Sequence, residues 1–478
     1  MAEATQTKTT IAIDPVTRIE GHLKAEVVVE NGKVVDAKLT GGMYRGFESI
    51  LRGRHPRDAA QIVQRICGVC PTAHATAASI ALEKASGTAV PSNGRATRNL
   101  ILGANYLQSH ILHFYHLAGQ DFIQGPDTAP FMPRYAKPDL RLPPAINAVG
   151  VDQYVEALEV RAVCHEMVAL FGGRMPHVHG ILAGAAEIPT KEKLVEYAAR
   201  FKKVRKFVEE KYLPVVYLVG SQYKDLGAFG QGYRNALCVG VFPLDDEGKE
   251  FVFKAGAYQD GKDMPFDVKR VTEDVKFSWF ADSTSGKPFT KGENVLEVDK
   301  KGAYSFVKAP LYNGKPMEVG PLARMWVNNK PISPIGQKLF KEYFGLDVKN
   351  FRDMGEDLAF SLLGRHVARA EESYLMLDVV ERFLKEVRPD EETFSMPVMK
   401  DSEGFGFTEA PRGSLMHFTK VRNGKIDNYQ IVSATLWNCA PRNDTGMRGA
   451  LEEALIGVPV PDIENPVNIA RLIRAFDP

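Results

Sequence analysis

Cysteine is scarce in this chain. Five in 478 residues, widely scattered, exclude a disulfide-stapled scaffold. An excess of one charge is missing too: 60 Lys and Arg against 59 Asp and Glu leave a net +1, with no bulk attraction to nucleic acid or an anionic membrane surface. No run approaches the ~18 uninterrupted apolar residues of a membrane span. The opening Met1–Thr10 is polar and lacks the apolar segment of a secretory signal. Taken alone, the chain is expected to be soluble and cytoplasmic unless a partner carries it elsewhere. Internal repeats and low-complexity linkers are also absent. Length is what the chain does have. At ~150 residues per domain it amounts to about three domains or one large body. Surface scaling buries roughly three-quarters of the unfolded chain's surface, which provides a large core and excludes disorder.

The patterning predicts strands first. Thr10–Ile13 and His22–Glu30 alternate or run β-branched, and Asn31-Gly32 is a hairpin turn before Lys33–Leu39. Helix follows over Asp58–Ile66, Thr72–Ala85 and Arg95–Leu117, the last with Asn93 as its expected cap. Further helices are predicted over Val151–Phe171, Lys191–Tyr212 and Asp353–Val387, the last interrupted by Gly355 and Gly364. Between them, short β-type runs such as Phe251–Lys254 and Lys301–Ala309 are broken by Gly, Asp and Lys. A turn-rich α/β section holding Phe405–Lys420 and Tyr429–Asn438 closes the chain. The expected class is α+β, helix-dominated, with a long-helix bundle core and peripheral β and mixed sections. One body over 1–478 is favoured, with a β section at about 10–55, helical segments at about 56–215 and 353–390, a mixed β insert at about 220–345 and a C-terminal section at about 400–478.

Cys67-Gly-Val-Cys70 is the single CxxC. Two sulfurs at this spacing can reach one metal ion, pair as a redox disulfide, or be two buried structural cysteines. His74 follows at helical spacing, and as a ligand, a hydrogen-bond donor or a core histidine it remains open. Arg18-Ile-Glu-Gly-His22, Tyr44-Arg-Gly-Phe-Glu48 and Glu409-Ala-Pro-Arg-Gly413 are unusually polar for their surroundings, although each reads by default as a surface turn or loop. His110, His113 and His116 spread over roughly 120° of a helix, too wide for a chelate, and are expected to form a buried ridge facing a partner subunit. Cys164-His165-Glu166 is not a zincin motif, Gly404-Phe-Gly406 is not a phosphate loop, and Cys238 and Cys439 are expected core residues.

In this order, RIEGH, RGFE, RICGVCPTAH, EAPRG and the terminal RAFDP resemble the large subunit of [NiFe] hydrogenases from about Ile11 to Pro478. The resemblance implies reversible heterolytic cleavage of H2 at a nickel–iron centre with CO and cyanide on iron, and nickel held by four thiolates from two CxxC motifs. It makes Cys67 a terminal nickel ligand and Cys70 a thiolate bridging nickel and iron. His74 becomes a donor to the bridging sulfur, Arg412 a guanidinium over the open metal position, and Thr435 a hydroxyl donor to a cyanide. Glu20 becomes the proton-transfer carboxylate, a role that suits a buried acid, and Asp121 and Asp477 join the same canopy. Glu48 and the Ile431 carbonyl would hold a magnesium or iron ion.

The resemblance also implies an iron–sulfur small subunit as partner, since this chain has no cysteine set for a cluster, with a cytochrome c or similar carrier beyond it. That partner's signal would take the pair to the periplasm, and a cytoplasmic location is the alternative. The family's second motif, DPCxxC followed by His, would begin at Asp477-Pro478. The residues as written therefore supply two of four thiolates, and this chain alone is expected to be inactive. A selenocysteine UGA codon read as stop, as in the [NiFeSe] branch, a truncation, and a natural loss all remain open, and the codon after Pro478 separates them. Two rival functions stand beside the catalytic one: a non-catalytic scaffold that binds the small subunit, and a thiol–disulfide oxidoreductase using Cys67 and Cys70.

Overall fold

The computed structural model describes residues 8–478; residues 1–7, part of the segment expected to carry no signal, lie outside the described residues. Strands β1 (Thr9–Ile13), β2 (Leu23–Glu30) and β3 (Lys33–Gly41) form an antiparallel meander. Along β2 burial alternates residue by residue, as one packed and one wetter face require. Asn31 and Gly32 both take positive φ, 53° and 72°, which is the geometry of a tight two-residue hairpin.

Helices α1 (Pro71–Ser86), α2 (Ser92–Leu112), α3 (Pro144–Gly172), α4 (Lys191–Phe207), α5 (Leu213–Gln222), α6 (Leu362–Glu386) and α7 (Val467–Phe476) supply the bulk. The α2 helix packs against both α3 and α6, and α7 lies against α6. A second meander, β4 (Ser402–Ala410), β5 (Gly413–Arg422) and β6 (Lys425–Val432), carries α1 on β4 and β5. The described chain is 44% helical and 19% strand, so the helix-dominated α+β class holds. One apolar cluster draws residues from Val16 to Phe476, and a smaller one gathers Leu237, Phe289 and Trp437.

Several boundaries differ from the sequence expectation for physical reasons. Asn93 does not cap α2, which begins after Pro91. Its amide instead donates to the carbonyls of Arg388 and Glu391 and accepts from Arg388 N, tying down the chain beyond α6. The helix from Lys191 does not stop before Pro214. It widens by one turn at Val208–Tyr212 and continues as α5, so the proline, with no N–H to donate, falls in the first turn of the new segment. Gly364 does not interrupt α6: its N–H donates to Ser361 Oγ, which caps the helix. The run Lys301–Ala309 yields a strand only at Ala309–Tyr312, and the insert also contains helices Pro321–Val327 and Pro334–Phe344.

Candidate metal centre

A tight turn, Val63–Ile66, delivers Cys67 in extended conformation, and Cys70 then stands at the head of α1, with Pro71 in the helix's first turn. The Cys70 N–H donates to Cys67 Sγ at 3.1 Å. Both thiols are free and nearly buried, at 8% and 7% exposure. A hydrogen bond between the two sulfurs lowers the Cys67 thiol and raises that of Cys70 well above its ordinary value. Burial opposes the first shift and adds to the second, and the Arg412 charge favours both thiolates. Two soft donors thus stand together at the head of one helix.

Arg412 comes from the turn joining β4 to β5, where Ala410 faces Gly413. This is a loop, as the default reading holds, but its guanidinium is buried. Nε and Nη2 lie 3.0 and 2.9 Å from Asp477 Oδ1, and Nη1 donates to Ser109 Oγ at 3.1 Å. Burial works against its charge, and Asp477, the two thiols and Glu20 more than offset that, pushing its pKa up. Asp477 has positive φ, 59°, at the end of α7, and Arg369 Nε stands 4.0 Å from its other oxygen. Asp121 contacts other arginines. Arg474 spans both of its oxygens at 2.9 and 2.7 Å, Arg18 reaches Oδ1, and Arg471 donates to its carbonyl.

Glu20 requires one correction. The RIEGH segment is a bend, as its default reading has it, with positive φ at Arg18 and Gly21, and that bend leaves Glu20 exposed in this chain instead of buried. Its position beside the thiols nevertheless holds. Oε1 accepts from Gly68 N at 3.2 Å, and its own N–H donates to the Pro478 carbonyl at 3.0 Å.

His74 is buried one turn below Cys70, and its Nδ1 meets His417 Nε2 at 3.2 Å. Burial holds its pKa down at about 3, so it is neutral. Thr435 is half-buried in the short helix Ala434–Asn438, whose Asn438 side chain grips the Val319 backbone. Glu48 is half-buried in the helix Phe47–Leu51, packed on β6; burial raises its carboxyl, and its charge reaches Tyr429. Ile431 is buried two residues further along that strand, opposite His417. Among the described residues no group of three or more His, Cys, Asp or Glu converges on a metal position. The two free thiols are donors that fit a soft, thiolate-bound metal.

The histidine ridge does not face a partner surface. His110 Nε2 pairs with Glu372 at 2.8 Å, His113 Nε2 with the Arg474 carbonyl at 2.5 Å and His116 Nε2 with the Tyr154 carbonyl at 3.1 Å, all inside the helix bundle. Sequence reasoning missed Arg369, Arg471 and Arg474. The available signal was the number of charges in α6 and α7, helices whose other residues are largely apolar and buried.

A family model described as nickel-dependent hydrogenase matches residues 45–127 and 121–478, and one described as HoxL-like matches residues 10–40. The periplasmic [NiFeSe] hydrogenase large subunit of Desulfomicrobium baculatum is 60% identical over 98% of this chain and 94% of its own length. The hydrogenase-2 large chain of Escherichia coli K12 is 32% identical over 98% of this chain and 95% of its own. The solved Ni-Fe-Se hydrogenase of Desulfovibrio vulgaris Hildenborough superposes with a TM-score of 0.98 at 69% identity, covering 99% of this chain and 98% of that one.

Proposed function

The chain belongs to the nickel-dependent hydrogenase large-subunit family and is an H2 oxidoreductase; from that premise we propose that it is the catalytic large subunit of a periplasmic nickel–iron–selenium hydrogenase that cleaves H2 reversibly and heterolytically. The observation that carries this reading is the pair of free, nearly buried thiols Cys67 and Cys70 at the head of α1, with Glu20 reaching the turn between them and the Arg412 charge acting on both sulfurs. A nickel–iron centre with CO and cyanide on iron supplies, when bound, the redox step that side chains cannot perform.

Cys67 and Cys70 would hold that centre as thiolates, the role the family resemblance implies for both. Arg412 keeps a fixed guanidinium beside them because Asp477 and Ser109 occupy three of its contacts. Such a preset positive charge needs no reorganisation as charge develops. Glu20 takes the proton on Oε2, the oxygen that Gly68 leaves free, and its exposure gives that proton a way out. Asp121 holds Arg18 and Arg474 under the canopy, and His74 and Thr435 donate hydrogen bonds to the thiolate and the cyanide side. Glu48 and the Ile431 carbonyl hold a magnesium or iron ion. Electrons pass to an iron–sulfur small subunit and from there to a cytochrome c or similar carrier, and that subunit's signal takes the pair to the periplasm.

Cys70→Ser tests the reading. Nickel per protein and H2 evolution with reduced viologen should both fall at least about tenfold, because a hydroxyl is a poor soft-metal ligand. Normal nickel in the variant removes Cys70 from the centre. Elemental analysis of the unaltered protein checks the same point: nickel and iron are both expected, and the lack of both would remove the metal role of the thiol pair.

A further inference from the structure

The sheet face beneath α1 is set by register. Gly406 pairs with His417, Gly404 with Thr419, and Thr419 with Tyr429, so these five residues point to one side. The two glycines let α1 sit on the strand backbone itself: a Cβ at Gly406 would stand 1.8 Å from the Ala77 carbonyl oxygen, and one at Gly404 2.2 Å from that of Ala81. The helix therefore lowers His74 onto His417. His74 Nδ1 meets His417 Nε2 at 3.2 Å, and His417 Nδ1 meets the Tyr429 hydroxyl at 2.8 Å. All three side chains are buried, at 2%, 0% and 0% exposure.

We infer that Tyr429 and His417 are positioning residues that lock the tautomer of His74, obliging it to carry its proton on Nε2. A neutral imidazole has one donor and one acceptor nitrogen, so a row of two such rings and a phenol can run in only two directions. All three side chains are buried and bond only to one another in the row, which favours two neutral imidazoles and a neutral phenol. In one direction Tyr429 O–H donates to His417 Nδ1, His417 Nε2–H donates to His74 Nδ1, and His74 presents Nε2–H. In the other direction His74 Nδ1–H donates to His417, whose Nδ1–H donates to the phenol oxygen, and the phenol proton must find a different acceptor. A charged candidate is Glu48, whose field acts on Tyr429. The first direction uses the phenol's single proton in the bond that is observed, and leaves as its one free donor His74 Nε2–H, on the helix face that carries Cys70.

The consequence concerns the metal-binding thiolate. His74 lies four residues after Cys70, on the same face of the helix, so a fixed Nε2–H is a donor available to sulfur on that side. A reversed row would offer a lone pair, which repels a thiolate. This consequence rests on the proposed role of Cys70, whereas the direction of the row does not.

Nitrogen-15 NMR of the full chain labelled in its histidine rings, with His74 assigned by the loss of its signals in His74→Gln, reads the direction. The expected result is a protonated Nε2 and a bare Nδ1 on His74. Tyr429→Phe removes the hydroxyl alone and should lower the tautomer ratio about tenfold or more. His417→Gln should keep the wild-type tautomer, because its amide oxygen accepts from Tyr429 and its amide nitrogen donates to His74. A bare Nε2 in the unaltered protein overturns the proposal, as does a ratio unmoved by Tyr429→Phe or not kept by His417→Gln. Nickel content and H2 turnover of the same samples separate the two ideas. The expected tautomer in a nickel-free protein sinks the hydrogenase mechanism alone, and the wrong tautomer in an active enzyme sinks the lock alone.

Discussion

Asp121 is 6% exposed and faces the guanidiniums of Arg474 and Arg18. Burial by itself would raise its pKa; Arg474 and Arg18 outweigh that and hold it below its ordinary value. A depressed folded value means that, as pH falls, the unfolded chain binds the proton first. The stability that Asp121 contributes is therefore complete above the ordinary aspartate value of about 3.9 and is lost as pH falls through the lower folded one. Asp121→Asn leaves Arg474 buried without its counter-charge and should cost about 3–5 kcal/mol at neutral pH. Urea unfolding at pH 7 and at pH 3 checks this, since the gap between variant and wild type should narrow at the lower pH. A gap of equal size at both would show that the charge is not what Asp121 contributes. The polar motifs were legible because their residue types are out of place in apolar surroundings: Arg412 pairs with Asp477, and Glu20 reaches the turn that carries the thiol pair. Arg369 and Arg474 were not legible, because an arginine in a helix reads as solvated until its burial is seen, and their partners Asp477 and Asp121 lie on other elements.

At the scale of elements, α1 fixes where Cys70 and His74 sit, and its distance from β4 is set by Gly404 and Gly406. Gly406→Ala would place a methyl against the Ala77 carbonyl and force α1 away from the sheet. Overpacking of this kind costs about 1–3 kcal/mol or more. The expected outcome is a lower thermal midpoint together with reduced nickel per folded protein, because the displaced helix carries Cys70. A normal nickel load in a destabilised variant would show that the Cys67–Cys70 turn holds its geometry without α1. In the sequence these glycines read only as a failed phosphate motif, since close approach of a helix to a strand is a tertiary fact with no periodicity of its own. Helix existence was legible from spacing, while helix ends were not. Asn93 has a cap's chemistry but finds better partners in the backbone beyond α6, and Pro214 breaks a helix only if the turn before it cannot widen.

Over the whole molecule, the site collects residues distant in sequence. Glu20 comes from the bend before β2, Cys67 and Cys70 from the head of α1, Ser109 from α2, Arg369 from α6, Arg412 from the β4–β5 turn and Asp477 from the end of α7. The Glu20 N–H closes the set on the Pro478 carbonyl, and Arg474 Nε donates to the Thr17 carbonyl, so the first and last described segments hold each other. A site made this way has no local unit to protect it. Cys67 and Cys70 should therefore become exposed in the same cooperative step that opens the core, not before it. Alkylation of the free thiols across a urea series tests this, using Cys164 and Cys238, both 0% exposed, as internal reporters of the core. Coincident midpoints for all four thiols are expected. Reaction of Cys67 and Cys70 at clearly lower urea would mean that the bend at Glu20 or the end of α7 detaches first, and that the contacts of Glu20 and Asp477 contribute little to keeping the site closed. Adding Arg412→Lys to the series separates those two routes, because a lysine cannot reproduce the paired contacts with Asp477 and Ser109. Early exposure that grows in this variant would trace the opening to α7.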